Sequence, residues 1–182
     1  MLWDDFLKSD YHDWKGSGYS EDRLDKPGWL EQLLTFHNLP YPGAPSESEM
    51  DNLKQLRSEI LRIVQKLTSH LSTEPSDFEG INRTLSDGPV ILRITETESK
   101  YQLESLPIQS GWSRIRVEIA TSFVRLLTEG DPARLRICEN PDCMTVYYDE
   151  TRNCSKRFCD NKVCGNLMKV RRFRARQKSD KT

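Results

Sequence analysis

The chain has 182 residues, 36% hydrophobic and 30% charged, which suits a soluble chain of one or two compact domains and excludes one disordered throughout. No apolar run nears the roughly 20 residues a membrane-spanning helix needs, and Asp4 and Asp5 stand where a secretion signal carries bases, so a cytoplasmic protein is expected, neither secreted nor in a membrane. The net charge of −1 hides a division: residues 134–182 carry 13 Lys+Arg against 6 Asp+Glu, net +7, and residues 1–133 carry 14 against 22, net −8.

The first thirty residues are mixed. Residues 6–18 are polar with interspersed aromatics and close on Gly16-Ser-Gly18. Ser20-Glu-Asp-Arg-Leu24 reads as a helix start before Pro27. Pro27 can itself open a helix, because Trp29, Leu30, Leu33, Leu34 and Phe36 recur at helical spacing. Pro40, Pro42 and Pro45 make residues 38–45 a loop. Ser46 or Ser48 then caps a long helix. Met50, Leu53, Leu56, Ile60, Leu61, Val64, Leu67 and Leu71 form its stripe, and residues 73–76 end it. Residues 77–88 read as a short helix or loop, and Ser86-Asp-Gly-Pro89 as a turn. Residues 90–94 and 101–106 are strand-like and joined by the polar run 96–100, which predicts an antiparallel hairpin. Trp112, Ile115, Ile119, Phe123, Leu126 and Leu127 mark another amphipathic helix, stopped by Gly130-Asp-Pro132. The charge changes sign there, and the domain boundary is placed at residues 130–134.

All five cysteines follow that boundary. Cys138 and Cys143 form one Cys-x4-Cys pair, Cys159 and Cys164 a second. Clustered cysteines of odd number, without a secretion signal, suit a reducing compartment and a metal better than a disulfide framework. Two short-spaced pairs supply the four sulfurs that Zn²⁺ takes in a structural site. Four buried thiols acting as small hydrophobes, or a redox pair, are the alternatives. Cys154 is left over among bases and is read as a free thiol. Four thiolates close the metal's coordination, so the site is expected to be structural.

After Cys164-Gly165-Asn166 comes a helix-forming run with Lys169, Arg171, Arg172, Arg174, Arg176 and Lys178. Lys169, Arg172 and Arg176 share one stripe, and Arg171, Arg174 and Lys178 another. Such like charges repel and weaken an isolated helix, which phosphates would relieve. These six residues are the candidate nucleic-acid contacts; a solvated helix end, or a tail docked on the acidic body, is the alternative. Gly165 and Asn166 are expected at the helix start, Gly165 permitting a tight approach and Asn166 capping.

These residues carry a family resemblance. Cys138-Glu-Asn-Pro-Asp-Cys143, Tyr148-Asp-Glu-Thr-Arg-Asn153, Arg157-Phe-Cys159 and Cys164-Gly-Asn166 before a basic helix resemble the CGNR zinc-finger family over about residues 134–176. The chain departs from it at Leu167, where the family motif has Arg, at Phe158, where Trp is usual, and at Cys154, where Arg is common. The resemblance implies one structural Zn²⁺ on Cys138, Cys143, Cys159 and Cys164. An N-terminal domain called ABATE precedes that finger in the family. Residues 6–24, through Asp13-Trp-Lys-Gly-Ser-Gly18 and Glu21-Asp-Arg-Leu24, resemble its start. This implies a bacterial transcription regulator whose first domain senses a ligand.

The expected fold is α+β: a mainly helical domain over 1–132 with a small antiparallel β-hairpin, then a treble-clef-like zinc module over 133–182 with a basic C-terminal helix. The expected function is a DNA-binding regulator, with a small-molecule effector and a homodimer as further expectations. His12 and Trp14 are candidates for the effector pocket. Trp29 and Trp112 are read as core or surface aromatics ahead of pocket residues. The rival is a ligand-binding or interaction protein whose finger contacts an acidic protein or RNA. No enzyme is expected, since His12, His37 and His70 stand outside any nucleophile elbow, phosphate loop or His-Glu metal motif.

Overall fold

The computed structural model describes residues 1–88, 90–97, 100–108 and 110–179. Along the chain run α1 (Leu2–Leu7), β1 (Asp10–His12), β2 (Ser20–Asp22), α2 (Trp29–Phe36), α3 (Glu47–Thr68), α4 (Glu79–Ser86), β3 (Val90–Thr97), β4 (Lys100–Pro107), α5 (Gly111–Glu129), β5 (Leu135–Ile137), β6 (Val146–Tyr148) and α6 (Asn166–Ser179). The three strand pairs are separate antiparallel two-stranded ribbons, β1–β2, β3–β4 and β5–β6. The α+β class holds, with helices dominant. No helix among the described residues is long and apolar enough to cross a membrane.

The core forms where α1, α3 and α5 meet. Ser46 caps α3: its Oγ accepts the Glu49 N–H at 3.3 Å, and the Glu49 carboxylate accepts the Ser46 N–H at 2.8 Å, which satisfies two otherwise orphaned donors. The α3 stripe of Leu53, Leu56, Ile60, Ile63 and Val64 is buried against Trp112, Ile115, Ile119 and Phe123 of α5. Trp3 of α1 is fully buried, its ring 5.5 Å from that of Phe123. Each such side chain stabilises the fold by about 1.5–3 kcal/mol through burial. Leu135 of β5 and Val146 of β6 belong to this same core, so the cysteine-bearing segment is anchored on the helices.

Several expectations change. Residues 20–24 do not start a helix; Ser20–Asp22 pairs with Asp10–His12, and a single 3-10 turn, Arg23–Asp25, follows. The cause is Arg57 on α3, whose guanidinium donates two 2.6 Å hydrogen bonds to the Asp22 carboxylate and one to Ser9 Oγ. α2 buries Leu30, Leu33 and Leu34 but leaves Phe36 75% exposed. α3 ends at Thr68, so Leu71 lies beyond it and is exposed. The β3–β4 hairpin is present and longer than expected, with Ile94 opposite Leu103. Ile94, Tyr101 and Leu103 are each at least 70% exposed, so they add nothing to the core. Pro89 of the expected turn, and residues 98 and 99 of the polar run expected between the strands, lie outside the described residues.

Candidate metal centre and nucleic-acid interface

β5 and β6 are three-residue strands in register from Leu135 opposite Tyr148 to Ile137 opposite Val146. The loop between them presents Cys138 and Cys143. It closes on itself through Cys143 N–H to Asn140 O at 2.9 Å and Cys138 N–H to Thr145 O at 2.9 Å, while Met144 takes a left-handed conformation, φ 50°. The second pair straddles the entrance to α6. Asp160 caps that entrance, its carboxylate accepting Lys162 N–H at 2.7 Å and Val163 N–H at 3.0 Å. A π-type turn, Asn161–Gly165, then carries Cys164 into the helix.

The four sulfurs of Cys138, Cys143, Cys159 and Cys164 lie within 4.8 Å of one another. Cys143 Sγ is 3.6 Å from Cys159 Sγ, which is 3.9 Å from Cys164 Sγ. A tetrahedron with metal–sulfur bonds of ~2.3 Å has sulfur edges of roughly 3.8 Å, so the arrangement fits one Zn²⁺. Cys154 stands outside the cluster, half-buried, at φ 48°. Contact with other thiols holds the Cys143 thiol well below its ordinary range, Cys138 foremost. The same contacts push Cys159 up, and burial pushes Cys164 up to about 11. Crowded thiols cannot all ionise without a cation; a bound Zn²⁺ would supply that charge and hold the loops together.

Neighbouring groups support the ligands. Asn140, fully buried, donates from Nδ2 to Cys164 Sγ at 3.4 Å and to the Trp14 carbonyl at 2.8 Å. The Thr145 hydroxyl lies 3.1 Å from Cys143 Sγ. Tyr147, Phe158 and Trp14 pack on the cysteines. The Asp149 carboxylate, also fully buried, accepts from Thr151 N–H, Thr151 Oγ1 and Lys156 N–H at 2.9, 2.6 and 2.8 Å. Burial alone would raise its pKa, but these hydrogen bonds leave it below the ordinary value of 3.8.

The basic helix splits by role. Arg171 reaches back to the body, with Nη1 2.5 Å from the Asp142 carboxylate and Nη2 2.8 Å from the Lys15 carbonyl. It braces the helix, so one of the six expected nucleic-acid contacts already has partners inside the molecule. Arg172 is exposed, its guanidinium 6.0 Å from the Phe158 ring centre. Lys169, Arg174, Arg176 and Lys178 are exposed as well. Lys169, Arg174 and Arg176 make no salt bridge among the described residues. Leu167, at the departure from the family motif, is half-buried. Asn166 does not cap the helix; it lies inside the first turn and donates to Lys162 O at 2.9 Å, because Asp160 already holds the cap. Gly165 is buried, yet an added Cβ would meet Phe158 Cδ2 at an ordinary 3.4 Å, so no tight approach requires it.

His12 and Trp14 do not share a pocket. His12 lines a cavity of about 360 Å³ with Leu7, Lys8, Arg57, Gln65 and Thr145, while Trp14 packs on the cysteine cluster. Trp112 is core and Trp29 half-buried against it. A larger cavity of about 500 Å³ lies between α1, α5 and β6 and is lined by His37, Glu118, Arg125 and Tyr148. Sequence reasoning missed the roles of Asn140, Asp149 and Arg171, whose partners are set by the tertiary fold.

Two family models match the chain. Residues 2–130 match ABATE, described as "putative stress-induced transcription regulator". Residues 134–177 match the CGNR zinc finger. No curated protein matches the chain.

Proposed function

From the premise that this chain belongs to the ABATE family and carries a CGNR zinc finger, we propose that it is a DNA-binding transcription regulator whose domain over 1–132 senses a small ligand and whose finger over 133–182 holds DNA. The observation that carries this reading is the division of the basic residues. Arg134, Arg136 and Arg171 are spent on backbone carbonyls and Asp142 inside the molecule. Lys169, Arg174 and Arg176 stand exposed on a helix with no buried residue. Cations held there at the cost of mutual repulsion suit a row of phosphates. The metal's part is to fix the entrance of α6. Neither matched description names an enzyme, and we assign binding roles throughout. The two cavities are the places for an effector. One short helix gives limited affinity alone, so a homodimer that sets two helices on one duplex belongs to this reading.

The test is fluorescence anisotropy of the zinc-loaded full chain with a labelled mixed-sequence duplex, with and without prior removal of the metal by chelator. Saturable binding that weakens sharply on chelation is expected. Absence of binding at low salt by the folded, zinc-loaded protein would overturn the reading.

A further inference from the structure

α6 advances about 100° per residue, so its faces can be read directly. Leu167, Met168 and Arg171 are half-buried and turned toward the body. The outward side carries the uncharged stripe Val170, Phe173 and Gln177, all exposed, with Val170 at 44% and Phe173 at 61%; of the three, Phe173 is turned most directly away from the body. Lys169 and Arg176 flank this stripe on one side and Arg174 on the other, with Lys178 beyond it. A lone exposed aromatic on an ordinary surface needs no explanation. Here the uncharged stripe of α6 lies between cations, and among the described residues no apolar cluster includes it.

We propose that Val170, Phe173 and Gln177 are the base-reading residues of α6, placed in the major groove of duplex DNA and selecting an A·T-containing site. The inference rests on the DNA-binding reading above and deepens it. The major groove is about 12 Å wide and accepts a helix. A stripe from residue 170 to residue 177 spans about 10 Å of helix, roughly three base steps. The Gln177 amide can pair with the adenine N6 and N7 atoms, and Phe173 and Val170 present apolar surface to thymine methyl groups. Arg174, one turn from Val170 on the edge of the stripe, is assigned to a phosphate wall rather than to guanine. Lys169, Arg176 and Arg174 then meet phosphates on the two walls, which sets position rather than sequence. Asn166 shares the outward face at the start of the helix, but its amide is tied to Lys162 O and it holds the turn.

The experiment is selection from a random duplex library with the zinc-loaded full chain, beside Phe173→Ala and Gln177→Ala, with salt-dependent affinity for a mixed-sequence duplex measured on all three. Both positions are exposed, so the variants keep fold and zinc content, checked by circular dichroism and metal analysis. The wild type is expected to enrich a short A·T-containing site. Each variant is expected to lose roughly 5- to 150-fold of that preference, while its salt slope on the mixed duplex stays unchanged. Enrichment of the same site to the same extent by all three proteins would overturn the inference, as would wild-type binding without any enrichment; in both cases the DNA-binding reading survives. Preference for single-stranded RNA over duplex would overturn the inference and that reading together.

Discussion

Two glycines next to the metal site show how far one Cβ decides an outcome. Gly16 has φ +84°, and a Cβ there would lie 2.7 Å from Arg171 Nη2 and 2.8 Å from Asp142 Oδ2. Gly165 has ordinary contacts at 3.4 Å and beyond. Gly16→Ala is therefore expected to destabilise the zinc-loaded protein by about 1–3 kcal/mol, through left-handed strain and displacement of the Arg171 brace. Gly165→Ala is expected to be neutral or slightly stabilising, since alanine suits a helical turn better than glycine. Thermal unfolding of the two variants side by side checks this; equal losses would contradict it. Around this site the cysteines and the run of bases were legible in the sequence because ligand type and spacing are local; the internal partners of two residues were not. Those of Asn140 and Arg171, at Trp14 and Lys15, lie 126 and 156 residues away.

The elements that sequence periodicity identified are the long ones. α3 and α5 each run several turns with an apolar stripe, and their existence needs no tertiary knowledge. β1, β2, β5 and β6 have three residues each, too few for a period of two to register, and each forms because its neighbours hold it. The Asp22 pairing with Arg57 did so for β2, and the core packing of Leu135 and Val146 for β5 and β6. The finger's own apolar cluster is small, Tyr147 and Phe158 with the cysteines, so the order of its loops depends also on the metal and on Asp149. Acid is therefore expected to release zinc and open the segment from 138 to 165 while the α3–α5 core persists. Zinc-bound sulfurs must be unprotonated, so affinity falls as pH falls. Asp149 has a depressed folded pKa; its contribution is present above the unfolded value near 3.8 and is lost as pH drops through the folded one. Hydrogen exchange with zinc quantification across an acid series checks this; retention of the metal until the helical core unfolds would contradict it.

At the scale of the whole molecule, the acidic body and basic finger are joined by specific contacts. The loop after β1 supplies the Trp14 carbonyl to Asn140, the Lys15 carbonyl to Arg171 and the Trp14 ring to the cysteine cluster. Asp13 shapes that loop by accepting the Lys15 and Ser17 N–H groups. The loop after β1 thus helps fix where α6 points, and the cavity beside His12 is lined on its other side by Met144 and Thr145, next to Cys143. The proposed function turns on whether Lys169, Arg174 and Arg176 meet phosphates. The direct measurement is the salt dependence of duplex binding for the wild type and for Lys169→Ala/Arg174→Ala/Arg176→Ala, both zinc-loaded. The log–log slope of the variant is expected to be shallower by about 3; an unchanged slope, with binding retained, would contradict phosphate contact by these three residues.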